Sequence, residues 1–103
     1  MKISLSSTQF KSVLNDSTIK TINNLQFYYR ASSEPKIGFI VSKRLGSSVE
    51  RNQFKRKCRN LFLGMSNNLN ECFSLIVWPK KPLCDIVGLA STFSLLNKKV
   101  CND

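Results

Sequence analysis

The sequence predicts an α/β (α+β) sandwich in which helices pack in a second layer on one β-sheet. Two apolar, β-rich runs, at 36–44 and 72–78, have the composition of buried strands. Between them, residues 47–63 place apolar side chains at helical spacing, after two serines and before a glycine. The chain has 103 residues, 42% of them hydrophobic, which suits a single globular domain over 1–103.

The first third of the chain predicts a helix followed by extended structure. Apolar residues share one helix face over 7–15, and three hydroxyl side chains offer N-caps: Ser6, Ser7 and Thr8. Residues 19–30 mix β-branched and aromatic side chains, and "NN" at 23–24 either breaks them into two strands or bends a hairpin. "ASSEP" at 31–35 is typical of a turn.

The rest of the chain alternates strands and helices. The run 36–44 predicts a central strand, and the next helix begins at Ser47 or Ser48 and extends to about Leu63, before Gly64 as C-terminal glycine. A polar loop leads to the strand at 72–78. Asp85 is predicted to cap a last helix, whose apolar face comprises Ile86, Leu89, Ala90, Phe93 and Leu96. The predicted order is α, β, β, β, α, β, α.

The net charge is the unusual feature of the composition. Sixteen Lys and Arg stand against six Asp and Glu, which gives +10. Charge of one sign attracts a polyanion, so the partner is predicted to be nucleic acid or an anionic membrane. There is no apolar run of the ~18 residues that a spanning helix needs. The first residues also lack the pattern of a signal peptide, so we expect a cytoplasmic protein.

Few residues are suited to catalysis or metal binding. The sequence has no histidine, which excludes catalysis by a histidine side chain. The acids are scattered singly, so a two-metal site on the protein is not expected: Asp16, Glu34, Glu50, Glu71, Asp85 and Asp103. The cysteines contain no CxxC pair and are predicted to be reduced thiols rather than zinc ligands or disulfides: Cys58, Cys72, Cys84 and Cys101.

The helix predicted at 47–63 has an apolar side and an adjoining cationic side. At about 100° per residue, the apolar side comprises Phe54, Cys58, Leu61 and Phe62. The cationic side comprises Asn52, Lys55, Arg56 and Arg59. A solvated helix would pair its cations with acids at i+3 or i+4, but this stretch has only Glu50. Arginine binds phosphate bidentately, and free amides near Ser47 and Ser48 favour anions, so the stretch predicts phosphate binding. Lys57 falls on another side and is expected to be solvated.

"SKRLGSSVERNQFKRKCR", at 42–59, resembles the signature of the bacterial ribonuclease P protein subunit. The family pattern is Ser-Lys-Lys/Arg-x-Gly-x-Ala-Val-x-Arg-Asn-x-x-Lys-Arg-x-x-Arg. It is matched here by Ser42, Lys43, Arg44, Gly46, Val49, Arg51, Asn52, Lys55, Arg56 and Arg59. Ser48 stands where the family usually has Ala. "TQFKSVL", "LQFYYR", "IGFIVSK" and "FSLIVWPKKP" resemble other segments of the family, so the resemblance covers nearly the whole chain.

The resemblance implies a ribosomal protein S5 domain 2-like sandwich with one mixed four-stranded sheet and about three helices. It also implies a left-handed βαβ crossover, against the general ~98% preference for right-handed ones. The implied protein is a non-catalytic subunit of an endoribonuclease. It binds the ribonuclease P RNA and the 5′ leader of precursor tRNA, while the RNA and its Mg²⁺ ions hydrolyse the phosphodiester. No cofactor is assigned to the protein itself, which is expected to be a monomer in a 1:1 RNA complex.

The resemblance also assigns roles to residues of this chain. RNA contacts, mostly to phosphate and sugar, are assigned to Lys43, Arg44, Arg51, Asn52, Lys55, Arg56 and Arg59. A leader-binding cleft is assigned to Phe10, Phe27 and Tyr29, whose rings would stack on any base at ~1–3 kcal/mol each. Leu14 stands where other members often have an aromatic residue.

Several of these residues have a structural alternative. Phe10 and Phe27 are also suited to the core. Strand alternation puts Phe27 and Tyr29 on one sheet face and Tyr28 on the other. Asn52 is equally suited to a hydrogen bond with the loop at Gly46, which itself requires either positive φ or a close approach. The other aromatic residues are predicted to pack in the interior: Phe39, Phe54, Phe62, Phe73, Trp78 and Phe93.

Three other functions are compatible with part of these observations. A ribosomal or other structural RNA-binding protein explains the charge, size and fold class equally well, and only the spacing of the basic motif argues against it. A DNA-binding module would need a helix-turn-helix pair or a dimerisation element, whereas the basic helix is flanked by strands. A membrane-surface protein would need a free apolar helix face, which the sheet should occupy here. We therefore expect RNA rather than DNA or a membrane.

Overall fold

The structure is a computed structural model that describes residues 5–32, 35–68 and 73–102. The elements are α1 (Ser7–Asn15), β1 (Thr18–Ile22), β2 (Leu25–Ala31), β3 (Lys36–Phe39), α2 (Ser48–Asn68), β4 (Phe73–Pro79) and α3 (Leu89–Asn102). Two 3₁₀ turns connect them, at Lys43–Leu45 and Leu83–Asp85. The predicted order of elements and the α+β class are confirmed.

Helix α1 has the bounds that its sequence predicts. Ser6 is the N-cap: its hydroxyl accepts a hydrogen bond from the Gln9 amide at 3.2 Å, and Gln9 Oε1 accepts one from the Ser6 amide at 3.0 Å. This capping box satisfies two amides that a helix start otherwise leaves unpaired. Val13 is fully buried, and Phe10 and Leu14 pack beside it.

The asparagines at 23–24 form the turn of a hairpin. Asn23 and Asn24 have φ of 49° and 68°, and the flanking residues Ile22 and Leu25 face each other across antiparallel strands. Two consecutive residues in the left-handed region match the twist of a tight hairpin, and asparagine tolerates that region. The sequence left open whether "NN" divides two strands or bends a hairpin, and the structure shows two strands joined in one hairpin.

The sheet has the order β1-β2-β4-β3, antiparallel except for the parallel pair β3 and β4. The prediction of 36–44 as a central strand is wrong. Strand β3 covers only Lys36–Phe39, lies at the edge, and pairs with β4. The two interior strands are β2 and β4, and the run Phe73–Val77 of β4 is buried on both faces. The amide of Leu5 bonds to the Ile37 carbonyl at 3.2 Å and covers part of the β3 edge.

Two helices differ from the predicted bounds. Helix α2 continues through Gly64 to Asn68, so Gly64 is an exposed interior residue rather than a helix end, and part of the predicted polar loop is helical. The remainder of that loop, at 69–71, lies outside the described residues. Helix α3 begins at Leu89, whereas Asp85 lies in a 3₁₀ turn. Gly88, at φ 69°, turns the chain into α3, which explains the later start.

The sheet has helices on both faces, an arrangement that the two-layer prediction did not contain. On one face, α2 and α3 bury what we call the larger core: Ile22, Leu25, Phe27, Tyr29, Ile37, Phe54, Cys58, Phe62, Phe73, Leu75, Val77, Phe93 and Leu96. On the other face, α1 buries the smaller core: Val13, Tyr28 and Ile76. The buried hydroxyl of Thr92 on α3 donates to the Gly88 carbonyl and accepts from Asn23 Nδ2, both at 3.0 Å, which ties α3 to the hairpin turn.

Cys58 is fully buried in the larger core, and this burial raises the pKa of its thiol to about 12, although the Arg59 guanidinium opposes the shift. We expect alkylation at about pH 8 to modify the exposed Cys84 but not Cys58. The unfolded thiol ionises near 9.0. The stabilisation from the protonated thiol is therefore present below that value and lost as the pH rises toward 12. Mass spectrometry of the peptides that contain Cys58 and Cys84 measures their alkylation rates. Equal rates would contradict the predicted protection of Cys58.

Candidate nucleic-acid interface

Helix α2 brings four of the predicted RNA-binding residues to one groove. Asn52 and Arg56 are exposed, whereas Lys55 and Arg59 are half-buried, and all four line the groove beside Val49. We call Asn52, Lys55, Arg56 and Arg59 the basic surface. Lys57 is exposed on another side of α2, near Leu83 and Ile86, as its spacing predicts.

The other three predicted RNA-binding residues are placed differently. Lys43 and Arg44 are exposed in the 3₁₀ turn between β3 and α2. Arg51 is half-buried and does not line the groove of the basic surface. Its Nε is enclosed without a hydrogen-bond partner among the described residues. Arg51 is thus directed partly inward, while Lys43 and Arg44 present their charge to solvent.

The start of α2 is less open to anions than the sequence predicts. The Ser47 amide donates to Glu50 Oε1 at 3.0 Å, and the Glu50 amide donates to Ser47 Oγ at 3.2 Å. This capping box occupies two of the amides and places a carboxylate at the helix end. The Ser47 amide is therefore paired with Glu50, and the expectation of free amides is wrong for Ser47.

The glycine of the basic motif lies at a close approach rather than at a positive φ. Gly46 has φ 172°, extended backbone that any residue adopts. A Cβ at this position would lie 3.2 Å from Glu50 Cβ and 3.3 Å from Leu83 Cδ1. Asn52 is exposed, and within the described part of the chain it makes no hydrogen bond to the Gly46 loop. The structural alternative for Asn52 therefore has no support here.

The predicted aromatic cleft of Phe10, Phe27 and Tyr29 is not formed. Phe27 and Tyr29 belong to the larger core, with 0% and 6% of their surfaces exposed. Their rings pack edge-to-face on Phe93 and Phe73, at centroid distances of 5.6 and 6.4 Å. Phe10 lies on the opposite sheet face, so the assignment of Phe27 and Tyr29 to a cleft is wrong, and the core alternative holds for Phe27.

A different aromatic group lies on the face that α1 covers. Tyr28 and Trp78 are nearly parallel there, with ring centroids 6.3 Å apart and planes inclined by 20°. Lys80 Nζ sits 3.1 Å from the Trp78 ring centroid, and Trp78 is only half-buried. The exposed Lys80 side chain thus covers the outer surface of the indole, and a ligand can displace this long, flexible side chain.

Phe10 reaches this face because β3 has a glycine at the contact. A Cβ on Gly38 would lie 3.0 Å from both Leu5 Cδ1 and Phe10 Cδ2, which is tighter than Cβ atoms usually pack. Gly38 pairs with Ile76, which places Phe10 over the same sheet face as Tyr28. The sequence signal for this grouping was the alternation that separates Tyr28 from its two neighbours.

A polar groove lies beside α1 at the far end of β2. It is lined by Thr8, Gln9, Ser12, Val13, Arg30, Ala31, Ser32 and Ser74. Arg30 and Asp16 approach to 3.9 Å across exposed surface, which contributes little stability. Arg30 places a second cation on the α1 side of the sheet, in addition to Lys80, and sequence reasoning assigned neither residue a role.

Among the described residues, no three side chains of the metal-binding types come together as a candidate metal site. Two of the described acids are engaged elsewhere, since Asp16 faces Arg30 and Glu50 caps α2. None of the described helices is both long enough and apolar enough to cross a membrane.

Comparisons with known proteins agree on one family. The Ribonuclease P family model matches residues 4–99. The Ribonuclease P protein component of Finegoldia magna is 33% identical over 70 residues, covering 65% of this chain and 62% of the relative. That of Chlamydia pneumoniae is 39% identical over 57 residues, covering 52% of this chain and 40% of the relative. The chain thus matches less than two thirds of the length of these relatives.

Solved structures show the same fold at lower identity. The RNase P protein of Staphylococcus aureus superposes with a TM-score of 0.81 at 20% identity, covering 97% of this chain and 96% of that one. The protein from Thermotoga maritima gives 0.63 at 20% identity, with coverage of 90% and 86%. The shared fold and the family match over nearly the whole sequence lead to one conclusion: this chain is a member of the Ribonuclease P protein family.

Proposed function

We propose that the chain is the protein subunit of ribonuclease P, which assists removal of the 5′ leader from precursor tRNA. In this role it binds the catalytic RNA and the leader, and it performs no bond cleavage itself. The basic surface carries the proposal, because it gathers three cations and an amide around one groove in a member of this family. The net charge of +10 favours the approach of a polyanion over long range.

The catalytic RNA is assigned to the basic surface. Lys55, Arg56 and Arg59 would contact phosphates, and the amide of Asn52 is free to bond to phosphate or ribose. Such contacts fix the position of the protein on the RNA rather than read its sequence. Lys43 and Arg44 extend the positive charge along the turn before α2, and Arg51 contributes charge from a more enclosed position.

The 5′ leader is assigned to the sheet face beneath α1. Phe10, Tyr28 and Trp78 lie there, and Lys80 and Arg30 supply positive charge at the two ends of the face. A nucleobase stacking on Trp78 would displace Lys80 from the ring, and the freed ammonium would then be close to the backbone phosphate. Stacking accepts any base, which suits leaders of varied sequence.

Hydrolysis and its Mg²⁺ ions are assigned to the RNA. Mg²⁺ prefers carboxylate, phosphate and water oxygens. The described carboxylates Asp16 and Glu50 are engaged, and Asp85 stands apart from them. These residues do not fit a protein-borne magnesium centre, whereas an RNA offers phosphate oxygens. The contribution of the protein is therefore to bind and orient both RNA partners.

Trp78 is the one tryptophan of the chain, so its fluorescence tests the leader site directly. In the complex of protein and catalytic RNA, we expect a 5′-extended tRNA to quench the emission, because a stacked base quenches an indole. Mature tRNA, which lacks the leader, should leave the emission nearly unchanged. Equal responses to the two tRNAs would contradict a leader contact at Trp78.

Two substitutions of Trp78 test the same contact through tRNA binding, without using the fluorescence of the indole. Trp78→Leu removes the stacking surface and should weaken binding of the precursor by about 5- to 100-fold relative to mature tRNA. Trp78→Phe keeps a ring and should restore most of that loss. A loss that is equal for precursor and mature tRNA would assign Trp78 to folding alone.

A further inference from the structure

Phe39 supports one residue of the basic surface. The Arg59 guanidinium carbon lies over the Phe39 ring, 5.4 Å from its centroid. Phe39 ends strand β3 and is half-buried, so the ring lies between the sheet and solvent. Phe54 packs edge-to-face on the same ring, at 6.3 Å and 70°. The sequence predicted a simple core residue, whereas the structure places this ring beneath a candidate RNA contact.

The contact restricts an otherwise flexible side chain without neutralising it. Arginine has a large rotamer entropy, which is lost when it binds a phosphate. Within the described part of the chain, Arg59 forms no ion pair, so no described carboxylate competes for its guanidinium. A guanidinium over an aromatic ring keeps its planar N–H groups available at its rim. Phe39 thus fixes the cation in place and leaves its donors to a ligand.

We propose that Phe39 is a positioning residue, which pre-orients Arg59 for a phosphate of the RNA partner. This inference rests on the proposed function, because it assumes that Arg59 contacts RNA. A cation–π contact at a partly exposed site changes an equilibrium by about two- to five-fold. We expect the Phe39 ring to contribute that factor to the affinity for the catalytic RNA.

A double-mutant cycle on the full chain with the catalytic RNA tests the inference. Phe39→Leu keeps an apolar side chain against Phe54 but removes the ring, and should weaken binding about two- to five-fold. Phe39→Tyr retains the ring and should bind like the wild type. In an Arg59→Ala background, Phe39→Leu should have no further effect. The salt dependence should be unchanged by Phe39→Leu, because no charge is removed.

A second readout separates this inference from the proposed function. The Nε–H resonance of Arg59 in the free protein should carry a ring-current shift that Phe39→Leu abolishes and Phe39→Tyr retains. If the shift behaves so but Arg59→Ala leaves RNA affinity unchanged, both the RNA contact of Arg59 and the positioning role of Phe39 are overturned. If Phe39→Leu weakens binding equally in both backgrounds, Phe39 acts through folding, and the inference alone is overturned.

Discussion

Replacing Lys55, Arg56 and Arg59 together with Gln is expected to weaken binding of the catalytic RNA about 100-fold at ~0.15 M salt. Each lost contact between a cation and a phosphate makes the negative slope of log K against log salt shallower by ~0.7–0.9. Three lost contacts therefore make it shallower by ~2–3, and the difference in affinity between wild type and variant grows as the salt concentration falls. Titrations over a range of salt concentrations measure both quantities.

Two lysines of α2 provide a matched control. Lys55 lines the groove of the basic surface, whereas Lys57 is exposed near Leu83 on another side of the helix. Lys55→Gln should cost about four- to five-fold in affinity at ~0.15 M salt and flatten the slope by nearly one unit. Lys57→Gln makes the same chemical change and should alter both quantities much less. Equal effects of the two would mean that RNA responds to net charge rather than to this surface.

Leu96→Ala is expected to lower the free energy of unfolding by about 2–5 kcal/mol. Leu96 is fully buried in the larger core, so truncation removes apolar contact and leaves a cavity. Such a loss is a large part of the roughly 5–15 kcal/mol that stabilises a domain. Denaturant unfolding followed by circular dichroism measures it.

The neighbouring residue provides the comparison. Leu95 is 44% exposed on the same helix. Leu95→Ala is therefore the same leucine-to-alanine change, with the same difference in helix propensity, at an exposed position. Its cost should stay below about 1 kcal/mol. If the two substitutions cost the same, α3 does not pack on the sheet with the face described here.

The local elements were predictable where a short stretch determines its own conformation. The caps of α1, the hairpin at Asn23 and Asn24, and the buried run of β4 depend on residues close in sequence. The edge position of β3 was not predictable, because pairing partners come from distant parts of the chain. Gly64 disfavours a helix only by about 1 kcal/mol, which neighbouring turns of α2 offset.

One part of the candidate interface was likewise predictable from the sequence, and another part was not. The basic surface was predicted because helical spacing alone places Lys55, Arg56 and Arg59 together. The aromatic group of Phe10, Tyr28 and Trp78 was not predicted, although strand alternation correctly separated Tyr28 from its two neighbours. Alternation defines two faces but not which of them α1 will cover. That choice depends on tertiary packing, in particular on the approach of α1 to β3 at Gly38.

Reconstitution tests the proposed function most directly. The purified protein is mixed with the ribonuclease P RNA of its own organism and a 5′-extended tRNA at low Mg²⁺. We predict that mature 5′ ends appear only when both protein and RNA are present, and that the triple substitution of the basic surface removes the contribution of the protein. If the protein binds this RNA no better than an unrelated structured RNA and leaves cleavage unchanged, it is a general RNA-binding protein, and the proposed function is wrong.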